Sequence, residues 1–203
     1  FCYAQSRLMD LRTLLGLADV PWGSWVDVRV NAAEVLRAEL HTLPPLPIKF
    51  CPIVSDPYHP LEAKRQITRA CLEVLRECAP SAPVLVLTRT ALARRDFDLL
   101  ASLNLRLGVS LPTLDDETRQ HLEPRGAPIP ERLALLADAL AAGIATFAVV
   151  QPMLAGPREA PPDALAAPLA RVSLAVLPRA QCPSTSIDHP PSAHLPTARL
   201  LTT

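Results

Sequence analysis

Five cysteines, at Cys2, Cys51, Cys71, Cys78 and Cys182, are the residues of this 203-residue chain best suited to soft-metal chemistry. A thiolate binds iron or zinc only when further thiolates or imidazoles stand close by. These five form no regular framework, and their odd number reads as reduced thiols in a cytoplasmic setting. Cys2 is singled out by its neighbours, because "FCYAQ" sets it between Phe1 and Tyr3. His41, His59, His121, His189 and His194 are scattered without ligand-pair spacing and read as surface residues. A second collection is polar. Asn31, the run Ser55-Asp56-Pro57-Tyr58, Thr88-Arg89, Ser110 with Thr113, and Gln151-Pro152 each follow a short apolar run. If those runs are parallel strands, the polar groups converge at one end, where α/β proteins bind ligands.

The elements that would position them alternate along the chain. "WVDVRVN" (25–31) alternates apolar and polar residues as a strand does, and "AAEVLRAEL" (32–40) has helical spacing. "IKFCPIVS" (48–55) reads as a buried strand. "LEAKRQITRACLEVLREC" (61–78) reads as one helix, with Ile67, Cys71, Val74, Leu75 and Cys78 on its apolar face. "VLVLT" (84–88) and "LRLGVSL" (105–111) read as strands around a helix at 94–104. A helix over 130–143, with Pro130 in its first turn and Gly143 at its end, leads into a strand over 144–154. A last short strand is expected at 172–177. Continuous apolar strands joined by helix-length crossovers predict a parallel sheet, either doubly wound or part of a barrel. Residues 1–177 read as one domain and 178–203 as an irregular Pro-rich tail.

Composition narrows the function. Lys plus Arg and Asp plus Glu balance at 20 each, so net charge gives no support to a nucleic-acid or anionic-membrane partner. No apolar stretch reaches the length of a membrane span. No glycine-rich phosphate loop follows any of the strands.

Several stretches together resemble a known family. "FCYAQ" is similar to the end of the CxxxCxxC loop of radical S-adenosylmethionine (radical SAM) enzymes, where an aromatic precedes the third cysteine. "IVSDPYHPLEAKRQITRACLEVL", "VLVLTRTALARRDFDLL", "VSLPTLDDETRQHLEPRGAPIPERLALLADALAAGI" and "VVQPMLAGP" follow in order. They resemble the DPYQP-E, TK-x-x-L-x-x-RD and TLD…EP-x-AP…RL stretches, and the AGI strand, of the spore photoproduct lyase-like branch. The resemblance covers about residues 1–157. It implies a partial, open (βα)6-type TIM barrel. It implies a [4Fe–4S] cluster held by three thiolates, with S-adenosylmethionine on the fourth iron. A single electron then cleaves the sulfonium to a 5′-deoxyadenosyl radical that takes hydrogen from substrate. An electron donor such as flavodoxin or ferredoxin would be the protein partner.

Carried over residue by residue, the resemblance makes Cys2 the cluster ligand, with Phe1 and Tyr3 beside it. The two remaining cluster cysteines are expected upstream, which would make this chain a fragment. Ser55 falls where the S-adenosylmethionine amino group is met, Asp56 in a loop that can line the S-adenosylmethionine pocket, Arg89 where the branch has Lys and a cation can meet the S-adenosylmethionine carboxylate, and Ser110 where the ribose is met. The bland readings are a turn at Asp56-Pro57, a core hydroxyl at Ser110, a helix start at Arg95-Asp96, a helix cap at Asp115 to Glu117, and a helix stop at Glu123-Pro124. The branch's C-terminal motifs are absent, so its DNA substrate is not carried over. A βα remnant without a cluster is the alternative.

Overall fold

In a computed structural model the described residues are 4–17, 20–21, 23–43, 47–51 and 55–150. Four strands, β1 (Ile48–Phe50), β2 (Val84–Thr88), β3 (Leu105–Ser110) and β4 (Ala145–Val149), form one parallel sheet in the order β1-β2-β3-β4. Val84 pairs with Ile48 on one side and Leu105 on the other, and Gly108 pairs with Phe147. Spatial order follows chain order, so no strand is skipped and the sheet does not reverse direction. Right-handed crossovers then place the intervening helices on one face.

Burial follows that geometry. Along β2, Val84, Val86 and Thr88 are buried while Leu85 and Leu87 are half-exposed. The buried set meets Leu72 and Leu75 of α4 (Ile67–Cys78), Leu99 and Leu100 of α5 (Phe97–Leu100), and Leu135 and Leu136 of α7 (Ile129–Ala141) in one core. The opposite face carries Leu85, Leu87, Phe147 and Val149, each half-exposed. There Gly108 has a packing reason, because a Cβ at this position would run into the Phe147 ring.

The expected helices form with local differences. The helix expected over 61–78 is two, α3 (Glu62–Arg65) and α4, broken at Gln66 in left-handed conformation (φ 52, ψ 33). The Glu62 carboxylate caps α4 across the break, accepting from the amides of Ile67 (3.0 Å), Thr68 (2.9 Å) and Arg69 (3.3 Å). A three-residue-per-turn helix over Ala91–Asp96 precedes α5, where one longer helix was expected. The cap expected at Asp115 is there: its carboxylate accepts from the Thr118 amide at the start of α6 (Asp116–Leu122). Gly143, at φ 78, ends the turn after α7. Two further helices precede the sheet, α1 (Ala4–Leu14) and α2 (Ala32–Thr42), of which α1 was not anticipated. The expected strand at 25–31 is not formed; the segment runs as an exposed loop into α2. Residues 1–3, the end of the strand expected over 48–55, the 151–154 end of the last one, and the 172–177 strand and tail lie outside the described residues.

Candidate functional site

The carboxyl ends of β1, β2 and β3 carry the polar groups singled out from the sequence. Asp56, in the loop after β1, reaches across to β2. Its carboxylate accepts from the Thr88 hydroxyl (2.6 Å), the Arg89 amide (2.7 Å) and the Tyr58 amide (2.9 Å). Burial pushes the Asp56 pKa up, and these three donors oppose that rise. The Asp-Pro turn reading therefore holds for the Asp56-to-Tyr58 bond, and the same carboxylate also ties two strand ends together. Every oxygen of Asp56 is engaged inside the protein.

Arg89 does not face solvent as a spare cation. Its Nε lies 3.0 Å from Glu123 Oε1, an ion pair whose N–H is not aimed at the oxygen. Glu123 Oε2 accepts from Arg132 Nη2 at 2.6 Å. Arg132, on α7, has a fully buried side chain that also donates to the Ser110 carbonyl (2.9 Å) and the Ala127 carbonyl (2.8 Å). Glu123 thus joins the ends of β2 and β3 through two arginines, a role that the helix-stop reading missed. The signal for Arg132 was present: it lies one helical turn from Ile129, Leu135 and Leu136, on an otherwise apolar face. An arginine there must find internal acceptors.

A second ion network joins α3, α4 and α5. Arg95 donates to Glu62 and Asp96, and Arg69 binds Asp96 (2.9 Å) and Asp98 (2.9 Å). Asp96 is fully buried, so Arg95-Asp96 is more than a helix start. Burial, with the Asp96 charge nearby, raises the Tyr58 phenol far above its ordinary range.

Of the residues assigned from the sequence, Asp56 and Arg89 meet directly, and Ser110 joins them through its carbonyl and Arg132. Ser110 is buried at the end of β3. Ser55 lines a mostly apolar cavity beside β1 that Asp56 also lines, together with Val26, Val28, Arg29 and Phe50. Phe1, Cys2 and Tyr3 lie outside the described residues.

The three thiols among the described residues, Cys51, Cys71 and Cys78, do not suit a metal. Cys71 is buried on α4, and burial raises its pKa to about 12. Cys78 accepts from Arg37 (3.2 Å) at the far end of that helix, and burial raises the Cys51 pKa. Among the described residues no group of three or more His, Cys, Asp and Glu could hold a metal ion. Among them, too, no helix is long and apolar enough to cross a membrane.

No family model matches the chain, and no solved structure matches it. Among curated proteins it is similar to the "uncharacterized protein ORF301" of Acidianus two-tailed virus, 26% identical over 159 residues, which cover 75% of this chain and 51% of the viral protein. It is also similar to an uncharacterized protein of Mycobacterium tuberculosis, 32% identical over 136 residues, covering 64% of this chain and 39% of that protein. A Mycobacterium bovis protein matches to the same extent. The chain spans about half or less of the length of these relatives.

Proposed function

We propose that this chain is part of a cytoplasmic radical SAM enzyme of the spore photoproduct lyase-like group, and that its four parallel strands are a segment of a partial (βα)6 barrel. One observation carries the reading. The stretches that resemble that branch lie far apart in sequence, and their polar residues bond to one another at the carboxyl rim of a sheet wound in a single direction. Asp56 of the first stretch holds Thr88 and Arg89 of the second, and Glu123 of the third holds Arg89. A barrel needs that winding, since each crossover must move the chain one strand in the same sense.

The cluster is a separate matter from the rim. Cys51, Cys71 and Cys78 do not fit as its ligands, and Cys2 is the one thiolate the resemblance assigns. No step is therefore derived through the cluster. The rim residues have a role of their own. Asp56, Glu123 and Arg132 fix the loops after β1, β2 and β3, and so fix where Ser110 and the Arg89 guanidinium sit for an S-adenosylmethionine-like ligand. Paired with Glu123, Arg89 is a weaker carboxylate binder than the resemblance implies. Flavodoxin or ferredoxin is the proposed electron donor; no substrate is assigned.

The second reading, a βα remnant without a cluster, is favoured by the same saturation: Asp56 is fully occupied by internal partners. Iron content separates the two. The protein is expressed anaerobically from its complete reading frame, and iron and sulfide are counted per chain. The radical SAM reading predicts about four of each, lost together in Cys2→Ala. Iron-free protein after reconstitution favours the remnant, and full iron in Cys2→Ala overturns the ligand assignment.

A further inference from the structure

The start of α4 is tied to the carboxyl rim by one hydroxyl. Thr68, buried in the first turn of α4, donates to the Pro57 carbonyl (2.5 Å). A threonine inside a continuous helix turns its hydroxyl back onto a carbonyl three or four residues earlier. The left-handed turn at Gln66 breaks that line, and the bond goes to the loop after β1 instead. Pro57 stands between Asp56 and Tyr58, whose carboxylate and amide close the turn. A residue before proline is confined to extended backbone, so the Asp56 carboxylate follows the position of the proline.

The bonds close a circuit. Asp56 accepts from the Thr88 hydroxyl and the Arg89 amide, at the end of β2. The Thr68 amide donates to Glu62 Oε1 (2.9 Å). Arg95 donates to that same oxygen (3.1 Å) and to the Glu62 carbonyl (2.6 Å). The path from Arg89 through Asp56, Pro57, Thr68 and Glu62 thus returns, at Arg95, to the crossover that Arg89 begins. Pro57, Thr68 and Glu62 are buried, so water does not compete for these bonds. The conformation of Gln66 fits the same picture, because a left-handed residue with a side chain persists where its surroundings over-determine it.

We propose that Thr68 is a positioning residue of the rim. Through the Pro57 carbonyl it sets the Asp56 carboxylate, and through Asp56 it sets the loop at Thr88-Arg89. The circuit stands on the fold alone, whereas the use of that loop for S-adenosylmethionine rests on the function proposed above.

Two measurements on the full chain test it. Thr68→Val keeps the shape and removes the hydroxyl, and Thr68→Ser keeps the hydroxyl. The first measurement is amide hydrogen exchange, residue by residue, without ligand. In Thr68→Val the Tyr58 and Arg89 amides, both bonded to Asp56, should exchange on the order of tenfold faster relative to the Val86 amide in the sheet. Thr68→Ser should restore them. Equal acceleration at all three amides marks a general loss of stability and overturns the positioning role, as do unchanged rates. If Thr68→Val does not fold, Thr68→Cys, a weak donor, takes its place with the same outcomes. The second measurement is the affinity for S-adenosylmethionine. It should fall on the order of tenfold in Thr68→Val and return in Thr68→Ser. Unchanged affinity with loosened Tyr58 and Arg89 amides overturns the link from Thr68 to the ligand. If the unaltered protein binds no S-adenosylmethionine, the function proposed above falls, while the exchange pattern still decides the circuit.

Discussion

A buried arginine costs more than it returns unless its five donors find acceptors. Arg132 meets that condition with Glu123, the Ser110 carbonyl and the Ala127 carbonyl. Replacing it with methionine keeps the volume and strands the partners. Glu123 keeps only Arg89, and the Ser110 carbonyl loses its side-chain donor. Arg132→Met should therefore destabilise the protein by about 3 kcal/mol or more, read as a lower urea midpoint with unchanged slope. Adding Glu123→Gln should recover part of that loss, since the uncompensated charge goes too. Additive losses in the double variant would mean that the pair does not act as a unit. Asp116 is the simpler case. The Arg119 guanidinium, helped by the Ile129 amide, lowers its pKa from 3.8 to about 2. A carboxyl depressed in the folded state adds stability above its ordinary pKa. That contribution is lost as pH falls from about 3.8 to about 2. Asp116→Asn should flatten the acid limb of the stability profile in that window, and an unchanged limb would show that the pair contributes nothing there.

At the scale of elements, the break between α3 and α4 is the clearest departure from a regular chain. Gln66 holds a left-handed conformation, which costs a side-chain-bearing residue about 1 kcal/mol. Gln66→Gly should raise stability by about 0.5–1 kcal/mol in thermal unfolding, since the Glu62 cap does not use the Gln66 side chain. A loss would mean that the Gln66 side chain holds the turn in another way. The same break shows what the sequence could and could not tell. The apolar face of 67–78 was legible because its spacing is helical. The interruption was not, because "EAKRQITRA" contains neither Gly nor Pro and each residue is a fair helix former. What stops the helix is a carboxylate reaching five to seven residues forward, a tertiary-like bond that spacing alone does not announce. β2, β3 and α7 were legible to within a few residues, since a buried strand and an amphipathic helix leave their periods in the chain. The segment 25–31 carries a strand's alternation without a strand's ladder. Alternation says which faces a residue can take, but pairing needs an edge to join.

For the whole molecule, the sheet order and the rim fasteners belong to one design. Each crossover moves the chain one strand along, and the loops after β1, β2 and β3 are bonded in turn by the Asp56 carboxylate and the Arg89–Glu123 pair. The positions Asp56, Arg89 and Ser110 were legible before folding, but their partners were not. Glu123 read only as a helix stop, because its ion pairs with Arg89 and Arg132 have no local signature, although the place of Arg132 on an apolar helix face did signal a buried cation. The role proposed for this rim is radical S-adenosylmethionine chemistry. Its most direct test is to reconstitute the protein from its complete reading frame with iron and sulfide, reduce it anaerobically with dithionite in the presence of S-adenosylmethionine, and assay 5′-deoxyadenosine. We expect 5′-deoxyadenosine and methionine to form together, Cys2→Ala to form neither, and Ser110→Ala to need more S-adenosylmethionine for the same rate. A reduced, iron-loaded protein that forms no 5′-deoxyadenosine above the protein-free control would contradict it.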